Sequence, residues 1–327
     1  MKKLIVKASI FFSGLIIVLL SCVVISSKSE LFSEFFGKLT NSSSYSREKV
    51  NGGPVEIIPS IQLAQEQNQY TKIVLGDSVC NRVFNGLRGV NDEYLLLGTN
   101  QGIGMTGQYL LTEQFLQNHK NVTDVYIIMV WHSLDYDFGL KYGYQYAVMP
   151  FVEMDLFDNL DSETIEAAEK TYGEMFINKK IVNMIDYSEM NRKLYLNLLY
   201  EYSHEPVSES QYLSDIVMRN LQRLNKLCEE QGVNLHVLPG PLPDTEENRI
   251  AVIEQQKEAV KYEAGELLDL YYESVSFYPA EGFPDGVHPG GEWGTRESLN
   301  GMIKDLQEKS GLMKDIVFSD VDVYWAE

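Results

Sequence analysis

The stretch Lys72-Ile73-Val74-Leu75-Gly76-Asp77-Ser78 constrains the fold of this chain more than any other. Three apolar residues, two of them β-branched, run directly into a small, turn-forming triplet. That pattern predicts a buried strand ending in a sharp turn. In open α/β folds the carboxyl ends of parallel strands are where reactive groups are carried. Gly76 opens backbone angles closed to other residues, and Ser78 then falls at the start of a helix. Free backbone N–H groups and the helix dipole favour negative charge there. Two readings of the triplet follow. Ser78 is a nucleophile with part of its oxyanion hole built in, or Asp77-Ser78 simply caps a helix.

A second stretch bears on that choice. Near the C-terminus the chain reads Gly282-Phe283-Pro284-Asp285-Gly286-Val287-His288-Pro289-Gly290. Asp285 and His288 are three apart in a loop punctuated by Pro and Gly, so one tight turn brings carboxylate to imidazole. The carboxylate would hold one ring nitrogen and leave the other to take a proton from a serine. Of the five histidines, only His288 has an acidic residue in so constrained a turn. A surface Asp–His pair in a turn is the plainer alternative. Cys80, two residues after Ser78, reads as a small buried hydrophobe in the first turn of the helix, or as a reserve nucleophile.

Gly-Asp-Ser after an early strand, combined with Asp-x-x-His near the end, resembles the SGNH/GDSL hydrolase superfamily. The family pattern has four blocks. The first matches at Gly76–Ser78 and the last at Asp285–His288. The second falls within Leu97-Gly98-Thr99-Asn100-Gln101-Gly102-Ile103-Gly104, where more than one glycine could take the family position. The third, Gly-x-Asn-Asp, is replaced: the strand Val125–Val130 runs into Trp131-His132-Ser133-Leu134, with Ser133 where the oxyanion-hole asparagine would stand. This departure resembles divergent, membrane-anchored members that handle acyl groups of cell-wall or exported polysaccharide. The resemblance implies a three-layer, flavodoxin-like α/β domain and an esterase or O-acetyltransferase. It implies Ser78 as nucleophile, His288 as base then acid, and Asp285 as orienting group. The oxyanion donors it implies are Ser78, the loop Asn100, Gln101 and Gly102, and Ser133. An acylated carbohydrate polymer is the implied substrate, with a membrane acyl-transfer protein as a possible partner. A catalytically degenerate module that binds polysaccharide or scaffolds a complex is the alternative reading.

The rest of the chain sets the context. A formal charge of -20 over 327 residues argues against nucleic-acid binding and against attraction to anionic headgroups. Lys2, Lys3 and Lys7 precede an apolar run from Ala8 to Ile25, just long enough to cross a bilayer. With the lysines before the run, the expectation is a single-pass anchor in the cell membrane with the remainder extracytoplasmic. Competing readings are a cleaved signal peptide and a lipoprotein box at Leu19-Leu20-Ser21-Cys22. Residues 26–56 are Ser-rich and turn-prone, a polar tether, and the folded domain is expected over 57–327.

Within that domain, alternating strand and helix patterns predict a parallel sheet with helices on both faces. Residues 135–208 interrupt the rhythm with a mostly helical segment holding nine of twenty tyrosines, including Tyr136, Tyr142, Tyr144 and Tyr146. These rings either cover a sugar site or form the insertion's own core. His236 lies in an apolar strand and reads as a hydrogen-bonded core residue, His132 could line the site, and His119 and His204 read as solvated. Three cysteines, one of them Cys22 in the apolar run, imply no disulfide framework. No grouping has metal-ligand spacing, and the glycine-rich run Gly98–Gly107 lacks phosphate-loop and dinucleotide signatures, so neither metal nor cofactor is expected.

Overall fold

Ile73, Val74 and Leu75 are fully buried at the centre of a four-stranded sheet. A computed structural model describes residues 12–14, 57–87, 93–98, 103–135, 138, 143–185 and 212–316. Strands β1 (Lys72–Gly76), β2 (Tyr94–Leu96), β3 (Asp124–Met129) and β4 (Asn234–Pro239) all run parallel, in the order β2-β1-β3-β4. A strand buried on both faces reads as a continuous apolar run rather than an alternation. Val125 to Met129 fit that rule, each no more than 4% exposed. The chain leaves β1 towards β2 on one side and returns to β3 on the other. The carboxyl ends of β1 and β3 therefore flank the switch point, where such sheets leave a crevice.

Helices cover the sheet in two layers. Helix α3 (Gly104–Asn118) packs against both α1 (Ile57–Gln65) and α7 (Asp215–Gln231), while α2 (Ser78–Phe84), α9 (Asp269–Glu273) and α10 (Arg296–Ser310) form a second group. In α1 the buried residues Ile57, Ser60, Ile61 and Ala64 recur at helical spacing. Ser214 caps α7, its Oγ accepting from Val217 N, and Gly232 ends the helix at φ +70°. The fold is thus α/β, a parallel sheet flanked by helices.

Three features depart from expectation. The sequence over Thr245–Ala264 reads as one helix, but the helix stops earlier, as α8 (Glu246–Ala259). Gly265 folds back onto its end so closely that a Cβ there would lie 2.0 Å from the Ala259 carbonyl oxygen. A short parallel pair, β5 (Leu242–Pro243) with β6 (Phe277–Tyr278), has no sequence counterpart, because two residues carry no periodicity. His119 is buried rather than solvated: its ring stacks on Phe115 at 3.8 Å and Nδ1 meets the Phe115 carbonyl at 2.9 Å. The polar neighbours on which the solvated reading rested do not report the fold-back at the end of α3.

Residues 143–185 are helical as expected, with α4 (Met149–Glu153), α5 (Ser162–Tyr172) and α6 (Lys179–Ile185). Tyr144, Tyr146 and Tyr172 are buried, and Tyr144 packs edge-on against Tyr172 with ring centres 5.4 Å apart. These three belong to the segment's own core, whereas Tyr136, Tyr142 and His204 lie outside the described residues. His236 pairs with Asp124 at 3.0 Å and stacks on Tyr126. Among the described residues no helix is long and apolar enough to cross a membrane. The Ala8–Ile25 run lies outside them apart from 12–14.

Candidate active site

The turn after β1 is built around a glycine and a carboxylate. Gly76 has φ +154°, and a Cβ there would sit 1.8 Å from the Ile128 carbonyl oxygen of β3. Only glycine permits that approach. Asp77 then caps α2, with Oδ1 accepting from Val79 N at 3.0 Å and Cys80 N at 3.1 Å. Its other oxygen, Oδ2, accepts from Val130 N and from the Ser133 hydroxyl, each at 2.8 Å. One buried carboxylate thus ties the start of α2 to the end of β3. Ser78 is the first residue of α2 and is only partly covered.

The distant loop reaches this corner. Asp285 Oδ1 accepts from the backbone N–H groups of Val287 and His288, at 3.0 and 2.7 Å, so the turn closes on its own carboxylate. Gly286, at φ +78°, makes that turn sterically possible. Downstream, Gly290 N donates to the Gly282 carbonyl and Gly282 lies flat against the Trp293 ring. Asp285 Oδ2 meets His288 Nδ1 at 2.8 Å, and His288 Nε2 meets Ser78 Oγ at 2.7 Å. Partial burial pushes the Asp285 carboxyl up, but the two amides and the imidazole outweigh it and bring its pKa down to about 2. An ionised carboxylate can only accept, so Nδ1 carries the ring proton and Nε2 accepts from the serine hydroxyl.

The remaining expected site residues divide. Ser133 stands beside the corner, but its hydroxyl proton is committed to Asp77 rather than turned towards a substrate oxygen. Asn100, Gln101 and Gly102 lie outside the described residues. Gly98, at the end of the preceding strand, packs against Cys80 and Asn81 of α2. Cys80 is fully buried, its thiol directed at the Leu75 carbonyl at 3.3 Å. It fills the core behind the serine.

Two groups that the sequence left unmarked also shape the corner. Trp131 Nε1 donates to Asn248 Oδ1 at 2.8 Å, and Gln255 Nε2 donates to the Trp131 and Tyr212 carbonyls at 3.0 and 2.7 Å. Both come from α8, and neither belongs to a motif. His132, between these anchors, packs edge-on against Trp131. Burial lowers its pKa, as does the neighbouring His288, while the Asp77 carboxylate opposes them. The outcome is an imidazole held below its ordinary value.

The chain matches no family model, no curated protein and no solved structure. Its chemistry rests on its own geometry. That geometry offers a serine hydroxyl, a base oriented by a carboxylate, and the amino end of a helix, together at a sheet's switch point.

Proposed function

We propose that this protein is a serine acyl hydrolase or O-acyltransferase of the SGNH type, acting on ester-linked acyl groups. The observation that carries the reading is the relay from Ser78 through His288 to Asp285, with contacts of 2.7 and 2.8 Å. Ser78 lies more than two hundred positions from Asp285 and His288, yet the three meet in the order that nucleophilic catalysis requires.

Ser78 Oγ attacks the ester carbonyl carbon as its proton passes to His288 Nε2. The carbonyl oxygen becomes an oxyanion at the amino end of α2, where the Ser78 N–H and the helix dipole stabilise it. Collapse breaks the bond to the alcohol oxygen, which takes the proton from Nε2 and leaves an acyl-serine. An incoming hydroxyl then gives its proton to Nε2 and attacks the acyl carbon, and collapse breaks the acyl–Oγ bond as Ser78 Oγ takes the proton back from Nε2. Water as acceptor makes the protein an esterase; a sugar hydroxyl makes it an O-acyltransferase. Asp285 stays ionised throughout and stabilises the imidazolium.

The lysine-flanked run Ala8–Ile25 supports a membrane-anchored, extracytoplasmic setting, and with it acyl groups, acetyl foremost, on cell-wall or exported polysaccharide. A membrane acyl donor fits the transferase branch. The absent asparagine supports a competing reading, a binding or scaffolding module that has lost its chemistry. A fluorophosphonate probe separates the two. Adduct formation on Ser78, located by peptide mass and abolished in Ser78→Ala, is the expected result. A wild-type protein that neither forms the adduct nor hydrolyses p-nitrophenyl acetate overturns the enzyme reading in favour of the module.

A further inference from the structure

An oxyanion needs donors aimed at the point where charge develops, and one backbone N–H is seldom the whole set. Asparagine is absent from the third block, and Ser133 cannot replace it while its proton is held by Asp77 Oδ2 at 2.8 Å. The turn Trp131–Ser133 carries one other N–H-bearing side chain, His132. Trp131 is held away on α8 by Asn248 and Gln255, and Ser133 is drawn inward to Asp77. His132 lies between them, half-buried and without a hydrogen-bond partner among the described residues. The groups whose charge it feels are Asp77, adjacent in sequence to the nucleophile, and His288, the base.

We infer that the imidazole N–H of His132 is the side-chain donor of the oxyanion hole, the part that asparagine plays in the family pattern. The inference rests on the serine acyl-transfer reading of the site. A neutral imidazole has one N–H to donate and gives up no proton in doing so. It is an established kind of electrophile where a carbonyl oxygen gains charge. Neutrality also suits its position. The reaction makes His288 cationic, and a second cation beside it would oppose that step. Burial lowers the His132 pKa, and His288 adds to this against the opposing Asp77 carboxylate, so the surroundings favour the uncharged ring. The plainer alternative is that the ring only covers Trp131, against which it packs at 5.5 Å.

Two substitutions in the full-length, detergent-solubilised protein distinguish these roles. His132→Phe keeps a ring on Trp131 but has no N–H, and His132→Gln keeps a donor without the ring. With p-nitrophenyl acetate, His132→Phe is expected to lower kcat by about 10²–10³, the size of losing one such donor, with little change in KM. The melting temperature should stay near that of wild type. His132→Gln should recover at least about tenfold of the lost kcat by restoring an amide donor. A His132→Phe protein with wild-type kcat overturns the inference. So does a loss of kcat that His132→Gln fails to recover while the melting temperature is unchanged. Failure of the underlying reading looks different, since wild type itself would then remain unlabelled by the fluorophosphonate.

Discussion

On the proposed relay Ser78 and His288 act as one unit, so removing either should cost nearly what removing both costs. Ser78→Ala and His288→Ala are each expected to lower kcat for a small ester by about 10⁴ or more. Both side chains are partly exposed and neither supports the core, so melting temperatures should hold. Asp285 is proposed to work through His288. In Asp285→Asn the amide can donate to Nδ1, which favours the tautomer with its proton on Nε2 and removes the acceptor for Ser78. Its kcat should fall by about 10⁴ with KM little changed. The same carboxylate makes a stability prediction. A folded pKa of about 2 lies below the ordinary carboxylate value of about 3.9, so folding favours the charged form. That contribution is fully present above about pH 4 and disappears as pH falls towards 2. Melting curves of wild type and Asp285→Asn should therefore converge across that window. The side chain is 58% exposed, so solvent screening keeps the gap small.

At the scale of elements, Asp77 is the joint between the first and third blocks. It is 5% exposed and accepts four hydrogen bonds, two from α2 and two from the end of β3. Asp77→Ala removes a helix cap and strands the Val130 N–H, at a cost of about 2–4 kcal/mol. A lower urea midpoint with an unchanged slope would register it, and kcat should fall as Ser78 loses its register with His288. Ser133→Ala removes one of the four donors and leaves no donor buried, so the stability cost should be about 1 kcal/mol. Its effect on kcat should stay under about tenfold, since the hydroxyl faces Asp77 and not the substrate oxygen. A loss of about 10²–10³ would instead identify Ser133 as an oxyanion donor. Gln255 and Asn248 hold the same turn from α8, which makes that helix a support of this corner.

For the whole molecule, the sheet positions the Ser78 corner, and on the proposed reading the N-terminal run sets the compartment. The switch point between β1 and β3 opens at the same end as Ser78, and the loop from Gly282 to Gly290 closes over it from the far end of the chain. With the lysine-flanked run ahead of the tether, the mature protein is expected to keep Ala8–Ile25 and to expose the domain on the far side of the membrane. Intact mass of the membrane-extracted protein measures this. A mass beginning at a lipidated Cys22, or after cleavage near Ser27, would replace the anchor with a lipoprotein or a secreted form.

Strand and helix alternation, the turn at Gly76–Ser78 and the Asp285–His288 pair were all legible in the sequence, because each is a local pattern written in adjacent residues. Apolar runs announce buried parallel strands, Thr245 announces a helix start, and glycine announces turns. What only the tertiary structure decided are the contacts between segments remote in sequence. That Nε2 of His288 meets Ser78 depends on a chain reversal across 210 positions. The use of the Ser133 proton depends on Asp77, 56 residues earlier, and the anchoring of Trp131 on a helix more than a hundred residues later. The pairing of β5 with β6 was hidden for the same reason. Hydrogen bonds are satisfied by whatever partner the fold brings within about 3 Å. A residue's neighbours in sequence say little about which partner that is.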